Sequence, residues 1–376
     1  MEKKNNYTFI NPRRFFLSLI SRLSGSTDTI FINNIKDIEL YNTLLKNSSQ
    51  KGYGIEHHLA TPSWNPIYNI ESVDNQTWKN TRKYFHMISS KINLQNLEQI
   101  TIEYSKKFYN NNKIITSKVI SKLICTIYWK ILFDTEIDNQ TLEILYQGSI
   151  EWKKQLSVKG KGNTDIKNEC VQLVKNIIIQ TEKYKQLSEL MNTSKETQKE
   201  ILSSFIQPFF ISPMINYGDI FVSVEKYKNY FTKPKETESF ILECIRLQHP
   251  FPILERLITY SFSYNGKLYP KNTQLYVEFD TFIQDTTFDL KKWNVNNIDN
   301  VYKTIPFGVG SRSCLGKKFA LTSLISMVDI LIYHPNFNPK MDHKFSGRNN
   351  DNMTSFYEII YFIKTLCVTI TKVLSR

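Results

Sequence analysis

Hydrophobic residues recur with helical spacing along most of the chain and alternate as in strands at only a few places. The stretches with helical spacing predict core helices at residues 35–45, 73–90, 114–133, 141–156, 166–190, 240–248 and 315–333. Residues 29–33 and 273–279 are predicted strands, and residues 356–374 are predicted strands and turns. Asn265-Gly266 marks a hairpin within residues 261–270. We therefore expect a mainly α fold with small β sheets.

Length and composition allow a large core. The chain has 376 residues, of which 41% are hydrophobic, enough for one large domain or two ordinary ones. We find no internal repeat and no low-complexity linker, and we expect residues 1–376 to form a single domain. The richness in Asn, Lys and Ile suggests an AT-rich coding genome, such as that of a large DNA virus or a protist.

The formal net charge of +13 has three interpretations. The first is a solvated basic surface, and the second is an acidic protein partner. The third is nucleic acid, which we do not expect, because the basic residues are scattered and no DNA- or RNA-binding motif is present.

The amino-terminal region shows no sign of membrane insertion. No apolar run reaches transmembrane length, and Met1–Asn11 is polar and unlike a signal peptide. Apolar residues at 15–20 are flanked by Arg13, Arg14 and Arg22, which is compatible with weak peripheral contact with a membrane. We favour packing of this short amphipathic helix on the core, and we expect a soluble, cytoplasmic monomer without a transmembrane anchor.

The cysteines are scattered and do not form a cluster. They are Cys125, Cys170, Cys244, Cys314 and Cys367, with no paired spacing among them. This argues against a zinc cluster or a disulfide framework and indicates a reducing compartment.

One cysteine lies in a loop that suits a thiolate ligand. Cys314 precedes a predicted helix, whose amino terminus favours a deprotonated thiol. Glycines allow close approach of a flat partner, Arg312 offers a fork of donors to a carboxylate, and Phe307 can shield the sulfur from water. Together these features describe an axial ligand site for haem iron. The alternative is a buried structural cysteine beside a glycine-rich turn.

Residues 307–316 resemble the cysteine-ligand loop of the cytochrome P-450 superfamily, whose pattern is Phe-x-x-Gly-x-Arg-x-Cys-x-Gly. Every fixed position of that pattern is filled here. The resemblance implies a cytochrome P-450 fold that binds haem b, with Cys314 as the proximal iron ligand and Phe307, Arg312 and Gly316 around the cofactor. In such proteins the thiolate donates electron density to iron and favours O–O cleavage.

A second motif lies earlier in the chain. Trp78 and Arg82 are four positions apart on a predicted helix, so both side chains can face the same anion. They resemble the family's Trp-x-x-x-Arg motif, which holds a haem propionate. A buried tryptophan beside a surface arginine is the structural alternative. His86, one turn further, is interpreted as helix surface or a second propionate contact.

A third motif resembles the family's Glu-x-x-Arg helix and its proline-rich exit. Glu243 and Arg246 are predicted to pair within a buried ion-pair network, and Arg256 matches the position of another propionate-binding arginine. The arginine that usually completes the network is replaced by Lys292, and the usual proline by Leu290. Because lysine lacks a bidentate fork, we expect a looser network.

The predicted central helix departs from the family pattern at residues 200–212. Relatives carry a small-residue pair and then a threonine that supplies protons during oxygen activation. Here Gln207-Pro208 occupies the place of the small residues, and Ile211 occupies that of the threonine. We expect Pro208 to distort the helix, and we expect Ser212 or Ser204 to supply the missing hydroxyl.

The resemblance implies a monooxygenase that hydroxylates an apolar small molecule, such as a lipid, sterol or fatty acid, with dioxygen and external electrons. An acidic ferredoxin, flavodoxin or reductase domain would dock on basic residues near the thiolate. The candidates for that surface, which ordinary solvation also explains, are Lys79, Lys83, Lys303, Lys317 and Lys318.

Three alternatives stay open at this point. A peroxygenase or rearrangement enzyme would not need the missing threonine, and Gln207-Pro208 resembles the Arg-Pro pair of peroxide-using fatty acid hydroxylases. A haem-binding sensor or relic would need no turnover at all. A haem-free structural protein is the third alternative.

Overall fold

The structure is a computed structural model, and it describes residues 12–23, 25–32, 38–47, 50–52, 64–156, 162–232, 234–247, 249, 253–278, 287–293 and 306–339. Helices dominate the described residues. They are α1 (Pro12–Leu23), α2 (Ile38–Asn47), α3 (Asn75–Ser89), α4 (Leu94–Asn111), α5 (Ser117–Phe133), α6 (Asn139–Leu156), α7 (Thr164–Gln180), α8 (Lys185–Met191), α9 (Lys195–Ile206), α10 (Ser212–Tyr227), α11 (Thr237–Leu247) and α12 (Lys317–Leu331).

The strands form two small sheets. In the first, β5 (Thr273–Glu278) lies between β1 (Asp28–Ile32), which is parallel to it, and β2 (Ile253–Leu257), which is antiparallel. In the second, β3 (Phe262–Tyr264) pairs with β4 (Lys267–Tyr269) around Asn265-Gly266. Both turn residues have positive φ angles, 49° and 74°, as a tight two-residue hairpin requires. The expected mainly α fold with small sheets is confirmed.

The helical core is organised around one long central helix. It comprises α9, a π-helical turn at Gln207–Ile211, and α10. The α9 part packs on α3, the α10 part packs on α5 and α11, and α12 packs along α4. A buried hydrogen bond of 2.6 Å between the hydroxyls of Tyr217 and Ser323 joins α10 to α12. The central helix therefore contacts both α3 and α12, the helix that follows the cysteine loop.

Local capping explains where several helices begin. Asn93 accepts hydrogen bonds from two backbone N–H groups at the start of α4, and Ser194 accepts one at the start of α9. Thr116 does the same for α5. The π turn begins next to Pro208, which lacks a backbone donor, so the expected distortion of the central helix at this residue is present.

One helix prediction is wrong. Residues 166–190 do not form one helix, because α7 ends at Gln180 and Thr181 adopts an extended conformation. Tyr184 is buried against Phe205 after the break, with ring centroids 5.0 Å apart. Insertion of this ring into the core turns the chain, and α8 starts at the next residue.

The amino-terminal helix packs on the first sheet. Leu17 and Ile20 are buried against Tyr276, and Arg14 forms a salt bridge of 2.7 Å with Glu278, whose side chain is fully buried. The prediction that this helix packs on the core is confirmed. Within the described ranges, no helix has the length and apolar character needed to cross a membrane. The predicted strands at residues 356–374 lie outside the described residues.

The predicted Glu-x-x-Arg network forms at the end of α11. Two nitrogens of the Arg246 fork donate to Glu243, each at 2.7 Å, and the two side chains are at most 1% exposed. Lys292 lies 3.9 Å from the same carboxylate, which is the looser contact expected for lysine. The indole of Trp293 also donates to Glu243, at 2.9 Å. That contact was not predicted. It occupies an oxygen of Glu243 that a closer cation at position 292 would otherwise use.

Glu243→Gln is expected to destabilise the fold strongly. The substitution leaves the buried Arg246 charge without its carboxylate, which costs about 3–5 kcal/mol in the free energy of unfolding. Chemical denaturation measures the effect. Glu225→Gln is the matched control, because Glu225 pairs with Lys228 at the same i, i+3 spacing on the surface, where about 0–1 kcal/mol is expected. Equal losses in the two variants would contradict the assigned role of the buried pair.

Candidate functional site

The cysteine loop is closed by its own backbone. The Cys314 N–H donates to the carbonyl of Phe307 at 2.8 Å, and the Ser313 N–H donates to that of Gly310 at 3.1 Å. Gly308 and Gly310 adopt φ angles of 67° and 75°, a left-handed conformation that glycine adopts without strain. These contacts hold Cys314 shortly before the first residue of α12.

The Cys314 side chain is exposed although protein surrounds the loop. Desolvation by that protein raises the pKa of its thiol to about 11, and the negative charge of Glu71 adds to the increase. The Gly316 N–H, Lys317 and Arg82 act in the opposite direction. The helix terminus thus favours the thiolate as predicted, and desolvation of the thiol acts against it.

Phe307 and Gly316 flank this cysteine. The Phe307 ring is half-buried, and its centroid lies 5.7 Å from Lys317 Nζ. A Cβ atom built on Gly316 would meet no atom of the described residues within 4 Å. Open space therefore adjoins the backbone just after the cysteine, as a flat ligand would require.

Two guanidinium groups lie against one indole beside the loop. The Arg82 guanidinium is 5.3 Å from the Trp78 ring centroid, and that of Arg312 is 4.7 Å from it. Partial burial lowers the pKa of Arg82, which Glu71 and the Cys314 thiol oppose. The predicted Trp78–Arg82 helix and the predicted cysteine loop thus meet, and they bring two cations to one place.

The third predicted arginine lies on β2. Arg256 is 2% exposed, and one terminal nitrogen donates to the carbonyl of Glu255 at 2.7 Å. Its Nε finds no acceptor among the described residues. A buried guanidinium donor without a partner is costly, so this geometry suits an anionic ligand.

Arg312 already has a protein carboxylate as a partner. Its NH2 group forms an ion pair with Asp74, and its NH1 group donates to the carbonyl of Glu71 at 3.2 Å. The sequence resemblance did not indicate Asp74. The only available signal was its position directly before the Trp78 helix, which predicts a helix cap rather than an ion pair.

The two serines proposed as hydroxyl donors have different surroundings. Ser204 is fully buried and donates to the carbonyls of Thr81 and Glu200, at 2.9 and 2.8 Å, so its contacts indicate packing of α9 on α3. Ser212 is half-buried and begins α10 directly after the π turn. Of the two, Ser212 is the better placed to present a hydroxyl.

Gln207 is fully engaged by the preceding loop. Its carbonyl oxygen accepts from the Ile70 N–H at 2.6 Å, and its amide nitrogen donates to Asn69 at 2.9 Å. One turn earlier, Ser203 accepts from the Tyr68 N–H at 2.8 Å. The loop before α3 is thus attached to the central helix at the distorted turn.

The other predicted residues lie at the edges of this cluster. His86 is exposed near the end of α3, which agrees with its interpretation as helix surface. Lys79, Lys83, Lys317 and Lys318 are exposed on α3 and α12, and Lys303 lies outside the described residues.

Comparison with known proteins gives a consistent result. The sequence model of the cytochrome P-450 family matches residues 235–357. Cytochrome P-450 71D178 of Origanum vulgare is 31% identical over 113 residues, which are 27% of this chain and 22% of that protein. Cytochrome P-450 714B2 of Oryza sativa subsp. japonica is 27% identical over 107 residues, 27% of this chain and 20% of that protein. The matched segments thus span about a fifth of these curated relatives.

Solved structures share the fold over a larger part of the chain. A zebra fish cytochrome P-450 solved with progesterone superposes with a TM-score of 0.62 at 14% identity, covering 86% of this chain and 92% of that one. A six-coordinated cytochrome P-450 from Thermus thermophilus gives 0.59 at 13% identity, covering 86% and 90%. The chain thus resembles the cytochrome P-450 family in sequence over residues 235–357 and shares the fold of these solved structures.

Proposed function

We propose that the protein is a haem-thiolate monooxygenase that hydroxylates an apolar small molecule. The observation that carries this proposal is the exposed Cys314 thiol, held in a closed loop beside two guanidinium groups on one indole. The family supports haem as the cofactor, and the zebra fish relative was solved with progesterone, a small apolar compound.

The residues of the site fit haem b. Its carboxylates would be held by Arg82 and by the unpartnered Nε of Arg256, and the open space at Gly316 would leave room for it. Cys314 would ligate the iron. When bound, the haem would supply iron-centred oxidation of the substrate.

The chain itself prepares the ligand. Lys317, Arg82 and the Gly316 N–H all favour the thiolate, although desolvation keeps the thiol protonated when no other cation is near. Iron, when bound, would supply the positive charge that lets Cys314 bind as a thiolate. The same three groups would then stabilise the negative sulfur.

The contacts of Gln207 favour the monooxygenase over the fatty acid peroxygenase. In the Arg-Pro enzymes that the sequence resembles, the arginine holds the substrate carboxylate. Here Gln207 is neutral, 3% exposed, and bonded through both ends of its amide to Ile70 and Asn69. Both heteroatoms of its amide are therefore already hydrogen-bonded and it carries no charge, so an uncharged substrate suits the site better.

An acidic redox partner would dock on the exposed lysines of α3 and α12. Lys79 and Lys83 extend from the helix that carries Arg82, while Lys317 and Lys318 begin the helix after Cys314. A cationic surface beside the ligand loop accelerates association with an acidic protein through charge steering.

Cys314→Ala is expected to weaken haem binding by at least about 10- to 100-fold, the loss that follows removal of even an outer-shell partner at metal sites. Titration of the haem-free protein with hemin, followed by absorbance, measures the affinity. Cys125→Ala, at a fully buried cysteine in α5, is the control and should bind haem as the unchanged protein does. Equal affinity in all three proteins would contradict the ligand assignment.

Reversal of two lysine charges separates the dioxygen route from the peroxide route. Lys83→Glu with Lys318→Glu should slow turnover with dioxygen and a reduced acidic ferredoxin several-fold to about tenfold at low salt, and less at high salt. Peroxide-supported turnover should not change, because no partner docks. Lys185→Glu, on the exposed surface of α8, is the control.

The same assay decides between the oxidants. We expect the unchanged protein to turn over a sterol or lipid panel faster with dioxygen and ferredoxin than with peroxide. Faster turnover with peroxide would support the peroxygenase, and absence of turnover with either oxidant would support a haem-binding sensor.

A further inference from the structure

Asp74 is the side chain on which the parts of the site converge. It directly precedes α3, the helix that carries Trp78 and Arg82. Its carboxylate forms an ion pair with Arg312 of the cysteine loop. It also accepts hydrogen bonds from the backbone N–H groups of Lys51 and Gly52, at 3.0 to 3.2 Å.

These contacts extend to the third arginine. The carbonyl of Gln50 accepts from the N–H of Leu257 at 2.8 Å, and Leu257 follows Arg256 on β2. Gly52 has a φ angle of 72°, and a Cβ atom there would lie 2.6 Å from Leu257, so the segment at 50–52 is fitted closely to β2. Asp74 therefore connects the elements that carry Arg82, Arg312 and Arg256.

The side chain is not engaged in helix capping. An aspartate in this position usually accepts an N–H from its own helix, but Asp74 makes no such bond. All of its observed hydrogen bonds go to other segments, namely residues 51–52 and Arg312. Asp74 therefore stabilises contacts between distant segments and not the start of its own helix.

The ion pair also decides which arginines hold the cofactor. The Arg312 side chain is 1% exposed, and Asp74 already compensates its charge. Arg82 has no ion pair with a carboxylate among the described residues, and Arg256 has an unpartnered Nε. We propose that Asp74 is a positioning residue that fixes the Cys314 loop on α3 through Arg312, so that Arg82 and Arg256, rather than Arg312, compensate the cofactor carboxylates.

This inference rests on the proposed haem site, but its first test does not. Asp74→Asn, Arg312→Gln and the double variant form a double-mutant cycle on the unfolding of the haem-free protein. Because Arg312 is buried, each single variant should raise the unfolding equilibrium constant. The product of the two increases should exceed the increase in the double variant by at least about tenfold. Additive effects would show that the two side chains do not act as a pair and would overturn the proposal, whether or not the protein binds haem.

The second test addresses positioning. Haem loss to an excess of apomyoglobin should be at least about tenfold faster in Asp74→Asn than in the unchanged protein, and Asp74→Glu should restore part of the difference. Glu278→Gln, which removes a comparable arginine–carboxylate pair at α1 and β5, is the control for stability alone. Its haem loss should not change.

A third measurement, the spectrum of the ferrous carbon monoxide complex, reports the position of the cofactor. In Asp74→Asn the Soret band of the ferrous carbon monoxide complex should broaden or divide, because the loop that holds the sulfur has lost its attachment to α3. A narrow, unchanged band with unchanged haem loss would overturn the positioning role. An unchanged protein that binds no haem would instead overturn the proposed function, and the double-mutant cycle would still test the Asp74–Arg312 pair.

Discussion

The structure of the site depends on the compensation of buried positive charge. Arg82 and Arg312 meet at Trp78 beside the Cys314 loop, and Arg256 lies on β2. Each of the three is at least half removed from water, where an uncompensated cation is costly. Asp74 compensates Arg312, which leaves Arg82 and Arg256 to an anionic ligand. A ligand with two carboxylates and a metal that binds a thiol would satisfy all of these groups together, and haem b has both properties.

Short motifs predicted local contacts of the candidate site, because each motif is local in sequence. The cysteine loop, the Trp78–Arg82 pair and the Glu243–Arg246 pair lie where the patterns indicated. Their partners from distant segments were not predictable in this way. Asp74 pairs with a residue 238 positions away, and Trp293 reaches Glu243 across 50 positions. Such contacts are created by tertiary packing and leave no periodic signal.

The pKa of the Cys314 thiol also depends on tertiary packing that the sequence does not reveal. The sequence indicated the helix terminus, and the Gly316 N–H there does favour the thiolate. It could not indicate desolvation, which depends on all the segments that surround the loop. That larger effect raises the pKa of Cys314 to about 11. Likewise Ser204 matched a required residue type, but packing of α9 on α3 had already engaged its hydroxyl.

The central helix departs from the family's sequence pattern at the same residues at which its geometry becomes irregular. Gln207-Pro208 coincides with a π turn, and the Gln207 amide attaches that turn to the loop before α3. That loop ends at Asp74, so the distorted turn and the ligand loop are fixed to the same segment. The residues that depart from the family pattern are therefore held by specific hydrogen bonds to the loop before α3.

The most direct test of the account is the ferrous carbon monoxide difference spectrum of the haem-loaded protein. We expect a Soret band at the position typical of a thiolate ligand, and we expect Cys314→Ser to lose it. A band at the position typical of a histidine ligand, or one that persists in Cys314→Ser, would contradict the assignment of Cys314 as the iron ligand.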